Sequence, residues 1–281
     1  MGTGDFSRIR TNIAALEAQK SLNQISSKMA VHQLRLATGK RINTAEDDAA
    51  GFIIGKSLET RVRGLSQALS NIGDAKNTLA IAEGGLQSVL DVLQIMKEKA
   101  TQAASDTLGP AERTAIENQL DDLAAEIDSI VDKDTSFNSI NLINGTFIGK
   151  TVQVGANAGD TLAIDISGDH DAGALSITDA SLDVASATAA STAISRIANA
   201  ITKVNDTIRL IGSLQSRLTT KEATLSTVIT NTEAAKSRIL DADLAKEQLE
   251  LTKGQILQQT ALVMLAQANV APQNVLQLIQ Q

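Results

Sequence analysis

Apolar residues recur at spacings of three and four along most of the chain, and they divide it into successive stretches. Near the start, Ile9, Ile13 and Leu16, followed by Leu22, Ile25, Met29 and Leu36, fall at helical spacing. After a glycine-bearing break the pattern resumes through Leu58, Val62, Leu65, Leu69, Ile72, Leu79, Leu86, Leu90 and Leu93. Lys76, Glu83 and Lys97 interrupt this stripe without changing its register. It reads as a heptad repeat long enough to bury a continuous seam against partner helices. Thr107-Leu-Gly-Pro110 is a turn signal with a proline suited to the first helical position. A shorter helix with Ile116, Leu120, Leu123, Ile127 and Ile130 on one face follows it.

After Asp134 the period changes. Thr151–Val154 and Thr161–Ile166 are β-rich runs joined by Gly155–Gly159, which predicts a hairpin. The small, polar stretch from Gly168 to Ala190 predicts a strand-and-loop excursion. Helical spacing returns through Ile194, Ile197, Ile201, Val204, Ile208, Ile211, Leu218, Leu225 and Ile229. A last helical segment runs from Ala234 to the end, with a break expected near Pro272.

The layout is nearly palindromic, and it predicts a mainly α chain. The expected fold is a long antiparallel coiled-coil or helical-bundle rod with a β-hairpin region and a small variable insertion. The expected divisions are a terminal helix over 1–45, a connector over 46–57, and helical segments over 58–134 and 191–233. A β region spans 135–190 and a second terminal helix spans 234–281. The terminal helices are amphipathic, and no folded partner for them is evident within a compact monomer. They are therefore expected to order on assembly.

Composition supports long helices over a pocketed enzyme. Of 281 residues 43% are hydrophobic but only 1% aromatic, so the core must be built from Leu, Ile, Val and Ala. A net charge of −7 argues against general nucleic-acid binding. No apolar run in the sequence reaches membrane-spanning length, which argues against membrane insertion. The N-terminus lacks a secretory pattern. Absence of cysteine removes disulfides, thiolate metal sites and cysteine nucleophiles together.

Three places invite a chemical reading. Gly51-Phe-Ile-Ile-Gly-Lys-Ser57 imitates a phosphate-binding loop, but only three residues separate the glycines where four are needed, and no strand precedes it. Glu46, Asp47 and Asp48 lack the alternating ligand spacing of a calcium loop; Thr44 and Asp47 fit a capping box at a helix start instead. Asp165, Asp169, His170 and Asp171 are expected in a solvated turn, and His32 on a helix surface. Asn144-Gly-Thr146 and Asn205-Asp-Thr207 match the glycosylation acceptor pattern, read here as chance. No triad, metal set or cofactor site is expected, and no catalysis.

The terminal motifs carry a family resemblance. Arg10–Leu16, Leu36-Ala-Thr-Gly-Lys-Arg-Ile-Asn43 and Ala45-Glu-Asp-Asp-Ala-Ala-Gly51 resemble the N-terminal region of bacterial flagellin. Ser237–Asp243, Gln255–Gln259, Leu265–Asn269 and Pro272–Leu276 are similar to its C-terminal region. Phe137-Asn138 and Val152–Asn157 resemble the hairpin between them. The resemblance covers about 8–166 and 190–281.

What the resemblance implies is a filament subunit, exported unfolded without a cleaved signal by the flagellar type III system and added beneath a cap outside the cell. Its partners would be further copies of itself, the cap, the hook-junction proteins, an export chaperone and the export apparatus. Contacts between copies are expected at Ile9, Ile13, Leu16, Leu257, Leu265, Val275 and Leu276. Gly39, Asp47, Asp48 and Gly51 would form a joint that lets the subunit change shape. Met1–Ser7 precedes the family-like start, and the insertion is small. In flagellins sensed by an innate Toll-like receptor, a helix carries an arginine and a leucine, and the next a glutamate. The matching positions hold Ile95, Lys99 and Gln119, so weak activation is expected. The alternatives are a flagellin-like hook–filament junction protein, a coiled-coil receptor domain and a phosphate-binding enzyme.

Overall fold

The computed structural model describes residues 11–178 and 182–279, and for 271–279 the backbone alone. Its helices are α1 (Ile13–Thr38), α2 (Ala49–Ala103), α3 (Pro110–Ser129), α4 (Ala172–Leu175), α5 (Ala187–Leu240) and α6 (Leu244–Ile279). A π-helical turn (Ile130–Asp134) extends α3. The strands are β1 (Ser136–Phe137), β2 (Ile140–Asn141), β3 (Thr151–Gln153) and β4 (Thr161–Ala163). Two compact units divide the chain: residues up to 60 together with those from 231 onward, and residues 61–230 between them.

The central unit holds the hydrophobic core. Along α2 the buried residues step by three and four: Leu65, Ile72, Leu79, Leu86 and Leu93 alternate with Ala68, Ala75 and Ala82. The sequence reading placed Leu69 and Leu90 in this seam. They are only half buried beside it, because Ala68 and Val89 next to them take the central positions. The stripe of α5 lies in the same core, through Ile197, Val204, Ile211 and Leu218. Lys76 and Glu83, which interrupt the α2 stripe, pair across the seam. Lys76 Nζ lies 2.8 Å from Glu222 Oε2, and Gln215 Nε2 donates to Glu83 Oε2 at 2.9 Å. These pairs fix α2 and α5 as antiparallel. Contrary to the expectation from apolar run lengths, α2 contains one window long and apolar enough to cross a membrane by length and composition.

α3 starts at Pro110 after Gly109 and buries Ile116, Leu120, Ala124 and Ile127. Its Arg113 is buried as well, and the guanidinium donates to the carbonyls of Ala103 and Ser105. A cation there satisfies carbonyls that the end of α2 leaves unpaired. β1 and β2 form a tight hairpin through Asn138 and Ser139, both at positive φ. β3 and β4 pair with Val152 opposite Leu162, the hairpin expected from the sequence, in shorter strands.

The insertion departs from expectation. Among the described residues it has no strand, only α4, and it buries Leu175, Ile177, Leu182 and Val184 in the core. His170 is not in a solvated turn. It is fully buried, with Nδ1 3.0 Å from the Ile143 carbonyl and Nε2 2.9 Å from Thr207 Oγ1. A carbonyl only accepts, so Nδ1 carries the proton and Nε2 accepts from the threonine hydroxyl. Burial pushes the imidazole pKa down, more strongly than the Ile143 carbonyl and neighbouring Asp169 raise it.

Candidate assembly interface

The terminal unit is organised around a two-helix hairpin. Asn12 starts α1: its side chain accepts from Ala15 N at 3.0 Å and donates to the Ala268 carbonyl at 2.7 Å. Further along, Gln258 Nε2 lies 3.4 Å from Ser26 Oγ, and His32 Nδ1 lies 2.5 Å from Glu247 Oε2. The two helices are therefore antiparallel, and each terminal helix has the other as a partner within one chain. His32 is correspondingly half buried instead of lying on an open surface.

This seam makes almost no core. No described residue of α1 is buried, and in α6 only Glu247 and Ala261 are. The α1 side of the seam is Ala15, Ala18, Leu22, Ile25, Met29 and Leu36, all half buried. The α6 side mixes half-buried Leu251 and Leu265 with small and polar residues, and Gly254 lies so close to Met29 that a Cβ there would lie 2.7 Å from Met29 Cγ.

The outer faces also carry large apolar residues. On α6, Leu249 (63% exposed), Ile256 (61%), Val263 (69%) and Val270 (44%) stand at seven-residue steps, with Leu262 and Met264 beside them. On α1, Ile13, Leu16, Val31 and Leu34 are exposed. Of the positions expected to join copies, Ile13, Leu16 and Leu257 are exposed, whereas Leu265 is half buried in the seam. Ile9 lies outside the described residues, as do the side chains of Val275 and Leu276. The sequence reading missed Leu249, Ile256 and Val263. Their heptad spacing was legible, but two apolar stripes on one helix cannot be ranked without knowing which one meets α1.

The joint differs from the expected connector at 46–57. The break spans Gly39–Asp48, and α2 starts at Ala49, so Gly51 and Gly55 are helical. On the other side α5 continues to Leu240, beyond the expected boundary at 234, and α6 runs unbroken through Pro272. Gly39 ends α1 at φ 68°. The two turns are hydrogen-bonded to one another: Arg41 N donates to the Leu240 carbonyl at 2.6 Å, and Ala242 N to the Gly39 carbonyl at 2.9 Å. Gly55 packs on Leu240, whose Cδ2 would lie 2.5 Å from an added Cβ; at Gly51 a Cβ would meet Asp48 and Ile42.

Asp47 and Asp48 both stand before the helix. Asp47 Oδ2 accepts from the backbone of Thr44 at 3.0 Å and of Asn43 at 3.1 Å, half of the expected capping box, and these bonds hold its pKa below the ordinary carboxylate value. Asp48 Oδ1 caps α2 by accepting from Gly51 N at 2.9 Å. Arg35 lies 3.6 Å from both Asp47 and Glu247. The imitation phosphate loop is continuous helix with no loop to cradle an anion. Among the described residues no three potential ligands are grouped for a metal. Ile95 and Gln119 are exposed and Lys99 is half buried, on α2 and α3 respectively for the first two.

A mainly helical chain whose terminal helices leave large apolar residues exposed fits a structural protein that associates with further copies. The family model described as the bacterial flagellin N-terminal helical region matches residues 9–148, and the C-terminal helical region matches 194–279. Flagellin from Halalkalibacterium halodurans is 35% identical over 96% of this chain and 99% of its own length. The flagellar filament 33 kDa core protein of Treponema phagedenis is 33% identical over the same shares of each chain. The crystal structure of Bacillus cereus flagellin superposes with a TM-score of 0.48 at 29% identity, over 59% of this chain and 94% of that one. The chain belongs to the bacterial flagellin family. It is a structural subunit that polymerises into the flagellar filament outside the cell, not an enzyme, and the junction-protein alternative is not favoured.

Proposed function

We propose that the α1–α6 hairpin is the element that joins each subunit to its neighbours in the filament, through the faces it leaves uncovered. The carrying observation is the row Leu249, Ile256, Val263 and Val270, exposed at heptad steps and uncovered among the described residues. Ile13, Leu16 and Leu257, exposed on the same hairpin, extend the contact, and Ile9, Val275 and Leu276 belong to it by sequence. Burying such rows in every subunit gives a cooperative polymer from modest contacts per copy. The test is seeded polymerisation of the full-length chain carrying Ile256→Asp and Val263→Asp. A wild-type melting curve with no filaments by electron microscopy is expected. Filaments growing at the wild-type rate would remove the hairpin from this role.

Family membership supports the finer steps as well: export unfolded through the flagellar type III apparatus with a chaperone and no cleaved leader, addition beneath a cap, and attachment at the hook junction. The joint at Gly39, Asp47, Asp48 and Gly51 is where the subunit adjusts between filament shapes. Gly51→Ala, which pushes against Ile42 and Asp48, should change the filament waveform. Ile95, Lys99 and Gln119 make a poor match for the innate receptor, and a reporter-cell assay with monomer at full potency would refute that.

A further inference from the structure

The charge of the central unit is divided between two helices. Residues 110–134 hold eight acidic and two basic residues. One of those bases, Arg113, is buried with its guanidinium committed to the Ala103 and Ser105 carbonyls, so it neutralises nothing on the surface. Residues 191–230 hold five basic residues and two acidic. Both of those acids already have cationic partners: Asp206 pairs with Arg209, and Glu222 with Lys76. The outward face of α3 is therefore acidic and that of α5 basic.

The two faces also match in spacing. On α3, Glu112, Gln119 and Glu126 are exposed at seven-residue steps. On α5, Lys203, Leu210 and Arg217 are exposed at the same steps, and Leu210 is one of the large apolar residues that the fold leaves uncovered. The outer charges of each triplet are fourteen residues apart, about 21 Å along a helix, so two ion pairs can form at once. Lys203 Nζ donates to the Ala174 carbonyl at 2.8 Å, which holds its charge in place and leaves two further N–H donors.

We propose that the acidic face of α3 docks on the basic face of α5 in a second copy of this chain, with Glu112, Gln119 and Glu126 opposite Lys203, Leu210 and Arg217. Two different, complementary surfaces on one molecule make a heterologous contact, the kind that propagates into an open helical polymer instead of closing as a dimer. The proposal rests on the filament reading above and assigns it a second contact, in the central unit, that is electrostatic where the hairpin's is apolar.

Charge exchange tests it in the full-length chain. Glu126→Lys and Arg217→Glu are made singly and together, avoiding Glu112, whose charge also favours the start of α3. The critical concentration for seeded growth is measured at low salt, with melting curves confirming the fold. Each single reversal is expected to raise it about tenfold, and the double variant to recover most of the loss. Added salt should weaken wild-type growth and relieve the single variants. Unchanged growth in the single variants beside growing wild type would overturn the docking while leaving the filament reading intact. Failure of the double variant to recover would also overturn it. If the wild type itself does not grow, both readings fall.

Discussion

The central and terminal units carry the same heptad pattern and put it to opposite uses. In the centre, Leu79, Leu86 and Leu93 are wholly buried, because α3, the hairpins and the insertion cover the seam of α2 and α5. In the terminal unit two long helices pair, no further described element covers them, and no described side chain of α1 is buried. A heptad row thus states that a helix has a partner, not where that partner resides. What decides is how many further layers the same chain supplies.

Single truncations should separate the two uses most sharply. Leu86→Ala opens a cavity in a closed core and is expected to cost about 2–5 kcal/mol of unfolding free energy. Ile256→Ala, on an open helix face, should stay within about 0.5 kcal/mol of wild type. In polymerisation the sensitivity reverses: the folded fraction of Leu86→Ala should still assemble, whereas Ile256→Ala should slow growth. Thermal denaturation and seeded growth measured on the same samples check both halves. Equal thermal losses would mean that the hairpin seam is better packed than its exposure implies.

A smaller effect is expected at the joint. Gly55→Ala drives a methyl into Leu240, and relief requires Leu240 to move away from the turn it anchors, at about 1–3 kcal/mol. Hydrogen exchange at Arg41 and Ala242 should speed up, since their N–H groups bond across that turn. Amides of α3 should be unaffected. Unchanged protection at both positions would mean that Leu240 swings aside freely and that the glycine is not needed for close approach.

The seams, the turn at Gly109-Pro110 and the β3–β4 hairpin were legible in the sequence because each depends on local spacing. The joint was misplaced because Gly51 and Gly55 look like loop glycines. They are glycines for a tertiary reason, the nearness of Ile42 and Leu240, which no local pattern reports. His170 was misread for the same reason: its neighbours Asp169 and Asp171 suggest a surface, while its partners lie far off at Ile143 and Thr207. The outer row of α6 was present in the sequence, but only the fold shows which of its rows α1 covers.

Acid offers the finest separation of the two units. His170 is neutral when folded and its pKa is depressed, while in the unfolded chain it titrates near 6.5. The unfolded state then binds the extra proton first, so stability is full above pH 6.5 and falls as pH drops from there toward the lower folded value. Asp47 also has a depressed pKa, but its unfolded reference is 3.8, so its contribution is intact above that value and is lost only below it. Between pH 6.5 and 4, opening should therefore begin around His170, in the amides of Ile143, His170 and α4, while the joint stays protected. When the imidazole does gain its second proton, Thr207 can turn its hydroxyl to the Lys203 carbonyl, 3.2 Å away, and accept from Nε2. That rotation limits the loss to desolvation and keeps the effect small. Hydrogen exchange across this range, with His170→Gln as the non-titrating comparison, checks the order. Loss of protection at Arg41 and Ala242 before Ile143 would reverse the assignment.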